Sequence, residues 1–268
     1  MSTQRLTRIL EGRGVPVRPV LRAVEAAGEP NLYMEVSALS RRMTLLLPYR
    51  AEILEELAPG VSAGALPARP MLKLFLDGDR LDVALAAVGE VPPSEAVDVA
   101  PASMRPAWVE VLAALHGLGD ARISSRLRFL THQRATIDVF YRARAQFVDE
   151  RLATAMDQVA WRVGVSPPAR ELWRSVHASL GGAGVTVTTA CAEGGPAPEL
   201  AFMYGTADWD EAVRVCKLAA GDDAARAAAA VFGTLAADLE AERMMALQVV
   251  LGPGAVDVGA LVMLRSLK

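Results

Sequence analysis

This 268-residue chain is poor in cysteine, histidine and aromatic residues, with 2 Cys, 3 His and an aromatic content of 5%. Each scarcity removes a class of protein. Cys191 and Cys216 are too few for a disulfide framework or a four-ligand zinc site, and neither lies in a CxxC pair, so both read as small core residues. His116, His132 and His177 stand on separate elements with no i, i+4 partner, and no metal ligand is assigned. Charge of one sign is also missing: 28 Lys+Arg face 31 Asp+Glu, a formal net charge of −3. A domain that tracks a phosphate backbone needs a basic excess or stripe, so nucleic acid is not an expected partner. No apolar run reaches the roughly 18–20 residues of a bilayer span. The opening MSTQRLTRILEGRG has no apolar stretch with a cleavage site, and the expectation is a cytoplasmic protein without membrane insertion. Ser124 and Ser125 lack a GxSxG elbow, and the GGAG piece (Gly181 to Gly184) precedes a strand where a nucleotide cradle would follow one.

What is present is one pattern five times: two short strands joined by a turn, separated from the next pair by helical sequence. The hairpins span Asn31 to Pro48, Met71 to Val88, Ala121 to Arg144, Gly184 to Gly205 and Ala246 to Arg265. The Asp77-Gly78 turn is the strongest short-range signal among them, because Gly tolerates φ > 0. Its two acids, Asp77 and Asp79, are turn chemistry and not a magnesium pair. Helices are expected over Val20 to Ala27, Ala51 to Leu57, Pro106 to Leu118, Gln146 to Leu180 with a Pro167-Pro168 break, and Asp208 to Arg243 interrupted near Gly221, with Asp208 as N-cap. Trp161 and Trp173 read as helix packing. The expected fold is α+β: a ten-stranded antiparallel β-barrel from five αββα repeats, helices outside, in a single domain over residues 1–268. Ten strands are too many for an open twisted sheet, and closure removes the edges.

Strand parity separates the two faces. Leu72, Leu74 and Leu76, with Leu81, Val83, Leu85, Leu247, Val249 and Leu251, form a bulky face that must meet the helices. The other parity carries Glu35, Lys73, Arg126, Arg128, Asp138 and Asp257 among small and aromatic residues. In a closed sheet these point into a lumen, where ions are costly unless paired or solvated, which makes a lined lumen a binding site. An open sheet with one face in water alternates in the same way; the strand number favours closure.

This architecture resembles the ABBA-type prenyltransferases, whose fold is the PT barrel. The first hairpin, LYMEVSALSRRMTLLLP, is similar to the opening hairpin of the cyanobactin-type peptide prenyltransferases, in which a strand Glu is followed across the turn by an Arg. The resemblance implies that Glu35 accepts a hydrogen bond from the acceptor's nucleophile and that Arg42 holds a prenyl diphosphate. It implies further diphosphate contacts from Lys73, Arg126, Arg128, Arg142, Tyr204 and Arg265. Tyr33, Phe75 and Phe140, with Met203 and Met263, are the candidates for the prenyl and acceptor pocket. Magnesium is implied as an aid to diphosphate binding. The expected activity moves a dimethylallyl or geranyl group from an isoprenoid diphosphate to a peptide side chain or small aromatic acceptor. The competing expectation is a barrel that binds a hydrophobic small molecule or peptide without chemistry, favoured by the 5% aromatic content against the family's aromatic shield. A cyclase or isomerase is the third, and it requires no affinity for diphosphates.

Overall fold

Alternation of period two runs through each expected hairpin, and each folds as one. A computed structural model describes residues 3–28, 31–66, 69–91, 121–131, 134–141, 154, 157–158, 160–161, 164–180, 185–192, 195–205, 208–239, 244–252 and 256–265. The strands are β1 (Asn31–Ser37), β2 (Arg42–Pro48), β3 (Pro70–Asp77), β4 (Arg80–Val91), β5 (Ala121–Phe129), β6 (Arg134–Tyr141), β7 (Val185–Ala192), β8 (Gly195–Gly205), β9 (Ala246–Leu251) and β10 (Val256–Arg265). Each pairs antiparallel with its neighbours in sequence, and β1 pairs with β10 from Asn31 opposite Arg265 to Ser37 opposite Gly259. The sheet is thereby a closed barrel with no free edge. Closure is tight at one point: a Cβ on Gly259 would lie 3.0 Å from the Val36 carbonyl oxygen. At the β3–β4 turn Gly78 takes φ 61°, the left-handed conformation that Asp77-Gly78 foretells.

Five helices are described from end to end, α1 (Thr3–Arg13), α2 (Val17–Ala27), α3 (Ala51–Leu57), α4 (Pro167–Leu180) and α5 (Trp209–Leu239), and residues 154, 157–158 and 160–161 are also helical. Pro16 at the N-cap starts α2 earlier than its apolar spacing suggests, and Gly28 ends it at φ 62°. The Pro167-Pro168 pair opens α4. Within α5, Gly221 at φ 85°, ψ −173° divides two helical runs, as its position foretold. The N-terminal α1 has no counterpart in the sequence expectations, although Leu6, Ile9 and Leu10 already stand at i, i+3, i+4 and are buried. The expected Pro106 to Leu118 helix, which would precede β5, lies outside the described residues. No helix among the described residues is long and apolar enough to cross a membrane.

The core lies between the helices and the outside of the barrel. Leu72, Leu74, Leu76, Val83, Leu247, Val249 and Leu251 are at most 1% exposed and join the apolar faces of the helices in one cluster. Cys216 is buried in the same layer, whereas Trp161 is 68% exposed. Its helical spacing suggested packing, but it stands on the solvent side of its turn. A second, separate cluster of Ala84, Ala86, Leu127 and Phe129, with Leu46, Met71 and Phe75 against it, fills part of the inside.

Candidate functional site

Burying Leu32, Met34 and Val36 against the helices forces Tyr33, Glu35 and Ser37 to face the lumen, because side chains alternate along a strand. Register carries the same face around the barrel: Glu35 lies opposite Thr44, Thr44 opposite Phe75, and Phe75 opposite Asp82. One ladder step away, Tyr33 faces Leu46, Leu46 faces Lys73, Lys73 faces Ala84, and Ala84 faces Phe129.

At the meeting of these two ladders sits an ion pair. Lys73 Nζ donates to Glu35 Oε1 at 2.9 Å, and Thr44 Oγ1 donates to Glu35 Oε2 at 2.7 Å. The Lys73 and Glu35 side chains are 17% and 12% exposed, so little water screens them. The ammonium also stands 5.4 Å from the centre of the Phe75 ring, within cation–π range. Phe75 and Phe129 pack with ring centres 4.8 Å apart, and with Leu46, Met71 and Leu127 they make an apolar wall beside the charges. Tyr33 is 40% exposed, which leaves the lumen open to water at its level. Met263 faces Tyr33 across β10, and Met203 faces Gln248 and Thr186.

Other expected residues fall at the rim, outside, or beyond the described chain. Arg42 stands one ladder step from the Glu35–Thr44 pair, half exposed, with its Nε 3.7 Å from Asp77. Phe140 shares the register face of Thr186 and Met203, and Arg265 ends β10 opposite Asn31. Arg142 lies outside the described residues.

The assignments of Arg128 and Tyr204 are corrected. Arg128 pairs in register with the outward-facing Leu85, and its Nη2 donates to the Ala63 carbonyl on the outside of the barrel, beside Gly64. Arg126 occupies a position of the same parity, opposite Ala87. It is Leu127 and Phe129 that turn inward on β5, where the sequence expectation reserved the inner face for the charges. Tyr204 also faces out: it is 4% exposed, in the layer of Leu200 and Phe202. Its ring centre lies 5.9 Å from His177, which stacks at 5.1 Å on Trp173, which in turn stacks at 4.8 Å on Phe202. Burial raises the Tyr204 phenol far above its usual pKa, opposed by its contact with the Trp173 side chain, and lowers that of His177, whose Nδ1 has no hydrogen-bond partner among the described residues. Neighbouring strand residues cannot share a face, so Met203 and Tyr204 could not both line the lumen.

The sequence expectations placed Thr44 and Asp257 on the inner face without a role, and passed over Phe129. Thr44 was legible by parity with Arg42, and Phe129 by parity with Phe75 once register is known. Asp257 accepts hydrogen bonds from the Ser37 hydroxyl, from Ser40 Oγ at 2.6 Å and from the Val258 N–H at 2.9 Å. Arg13 of α1 donates to the Ser40 carbonyl at 2.6 Å; burial lowers its pKa and the nearby Asp257 charge opposes that. This network ties the β1–β2 turn to β10 and to α1, and its groups are engaged with one another. Among the described residues no three His, Cys, Asp or Glu side chains gather as metal ligands.

No family model matches the chain, and no curated protein matches it in sequence. Solved structures do match. The 5-dimethylallyltryptophan synthase from Streptomyces coelicolor aligns over 99% of this chain and 96% of its own, at 13% identity and a TM-score of 0.56. PriB with product diphosphate aligns over 97% and 94%, at 14% identity and a TM-score of 0.56. The 6-dimethylallyltryptophan synthase from Micromonospora olivasterospora, in complex with DMASPP and Trp, aligns over 99% and 97%, at 15% identity and a TM-score of 0.53. Likeness at these identities is likeness of fold. The chain therefore has the closed PT-barrel fold of the ABBA-type prenyltransferases.

Proposed function

We propose that this chain is a cytoplasmic prenyltransferase, a single PT-barrel domain of five αββα repeats over residues 1–268, that moves a dimethylallyl or geranyl group from an isoprenoid diphosphate to a peptide side chain or small aromatic acceptor. The observation that carries the reading is the sheltered Glu35–Lys73 pair beside an apolar, aromatic wall inside the barrel. PriB, of the same fold, is solved in a ternary complex with L-tryptophan and dimethylallyl thiolodiphosphate. In the proposed reaction the allylic C–O bond breaks and its electron pair leaves with the diphosphate. The acceptor's nucleophile bonds to the allylic carbon, and its proton passes to Glu35. Lys73 faces the charge that develops on the departing diphosphate, with Arg42 at the rim and Arg265 at the end of β10 as further cations. Phe75 and Phe129 present π faces to the allylic cation, and their wall keeps water from it. Tyr33, Phe140, Met203 and Met263 complete the pocket on the acceptor side. The half-open position of Tyr33 and the first hairpin's resemblance favour a peptide acceptor that itself covers the mouth. Magnesium belongs to this proposal only as an ion brought by the diphosphate: among the described residues Glu35 is engaged by Lys73, Asp77 by Arg42, Asp82 by Arg80, and Asp257 by Ser37 and Ser40. These residues do not fit a protein-held metal, and no step uses one.

One observation favours the non-catalytic barrel: Arg128 serves the outside of the wall and Arg42 faces Asp77, which thins the cation set around the lumen. Release of diphosphate from dimethylallyl and geranyl diphosphate, assayed with free tryptophan and with Tyr- and Trp-containing peptides, separates the two. The expected result is turnover that falls at least about a hundredfold in Glu35→Gln while donor binding persists. No release with any acceptor, together with retained binding of a hydrophobic peptide, would make the barrel a binding module.

A further inference from the structure

A carboxylate held by an ammonium is a poorer acceptor for a substrate proton than one that is not, and Glu35 accepts one hydrogen bond at each oxygen, the one at Oε1 from an ammonium. Lys73 Nζ holds Oε1 at 2.9 Å, and Thr44 Oγ1 holds Oε2 at 2.7 Å. The two contacts differ in kind. Thr44 is a neighbour across the β1–β2 ladder and keeps its place with the strands, whereas Lys73 reaches from β3 on a flexible four-carbon stem. Its ammonium has three donors and lies against Phe75, on the side of the apolar wall.

We infer that Lys73 is exchanged between Glu35 and the diphosphate of the donor, so that donor binding releases Glu35 Oε1 for the acceptor and the donor binds first. This rests on the reading that the lumen takes an isoprenoid diphosphate. A multiply charged diphosphate outcompetes a single carboxylate for an ammonium in a sheltered site. Nζ swings from one to the other by rotation within its own stem, so β3 need not move. No covalent bond changes and Lys73 keeps its proton; only a charge-assisted hydrogen bond changes hands. Thr44 goes on donating to Oε2 and holds the carboxylate plane in place while Oε1 is exposed. An acceptor that enters a donor-free barrel meets a carboxylate whose Oε1 is still paired with the Lys73 ammonium. Lys73 thus acts as a positioning residue for Glu35 as well as a diphosphate ligand.

Calorimetric titration with inorganic pyrophosphate tests the exchange on the full chain, its Glu35→Gln and Lys73→Met variants and the double variant, with thermal melting to verify folding. Removing the competing carboxylate should tighten pyrophosphate binding by roughly tenfold in Glu35→Gln, and Lys73→Met should weaken it by a similar factor. In the Lys73→Met background, Glu35→Gln should change affinity by less than about twofold, because the competition it relieves is gone. A Glu35→Gln affinity equal to or weaker than wild type, with Lys73→Met weakened, overturns the exchange and leaves the diphosphate reading standing. A tenfold gain that persists without Lys73 assigns the effect to bulk charge and overturns it too. No binding to any of the four proteins overturns the diphosphate reading, and the exchange with it.

Discussion

Arg128 is the residue at which the account parts most sharply from sequence parity. Its guanidinium holds the Ala63 carbonyl on the outside of the barrel, so it has no route to a lumen anion. Arg128→Ala should leave pyrophosphate affinity within about twofold of wild type while lowering the melting temperature, since the carbonyl of the buried Ala63 loses a charge-assisted hydrogen bond that the exposure of Arg128 limits to about 1 kcal/mol. A tenfold loss of affinity would return Arg128 to the site. Glu35 was legible from the first hairpin, but its partner was not: Lys73 is 38 positions away, and only the β2–β3 register brings the two together. Arg41 and Arg42, the cations nearest in sequence, stand toward the turn and are exposed. Tyr204 misled because a tyrosine on a barrel strand suits either face, and it is Trp173 and His177 of α4, far away in sequence, that draw it outward.

Elements were read more faithfully than faces. Period two and the turn residues marked each hairpin, and Gly221 marked the break in α5, because those signals are local. Face assignment needs the ladder to keep step, and it slips where register shifts occur between Val88 and Val91 and between Ile123 and Ser125. Leu127 and Phe129 lie clear of those shifts, opposite Ala86 and Ala84 in an unbroken stretch of the β4–β5 ladder, and the inward parity of Ala84 and Ala86 sets their face. The start of α5 shows the opposite case, a local signal that the structure realises in full. The Glu211 N–H donates to Asp208 Oδ1 at 2.8 Å, and the Asp208 N–H donates to Glu211 Oε2 at 3.2 Å, a reciprocal capping box. Asp208→Ala should cost about 1 kcal/mol, read as a lower urea midpoint with an unchanged slope. An unchanged midpoint would mean that tertiary packing alone fixes this helix start.

On the scale of the whole molecule, the helix layer and the barrel are joined by a buried aromatic stack whose histidine has no counter-charge among its stacking partners, and stability should follow its protonation. Burial holds His177 below its ordinary pKa of about 6.5. The neutral ring is the form the fold accommodates, so its contribution is complete above the unfolded value. It is lost as pH falls below about 6.5, because the unfolded chain then binds the proton first. Thermal melting from pH 7.5 down to pH 5 should show a decline in wild type that His177→Phe lessens; equal declines would place the acid sensitivity elsewhere. The central claim concerns the inside of the same barrel: that Lys73 beside Glu35 receives the diphosphate. A crystal structure of the chain with dimethylallyl thiolodiphosphate tests this most directly. The account expects a diphosphate oxygen within hydrogen-bond distance of Lys73 Nζ, Glu35 Oε1 released, and the prenyl tail against Phe75 and Phe129. An analogue bound outside the barrel, or one bound within it while the Lys73–Glu35 pair stays closed, would contradict it.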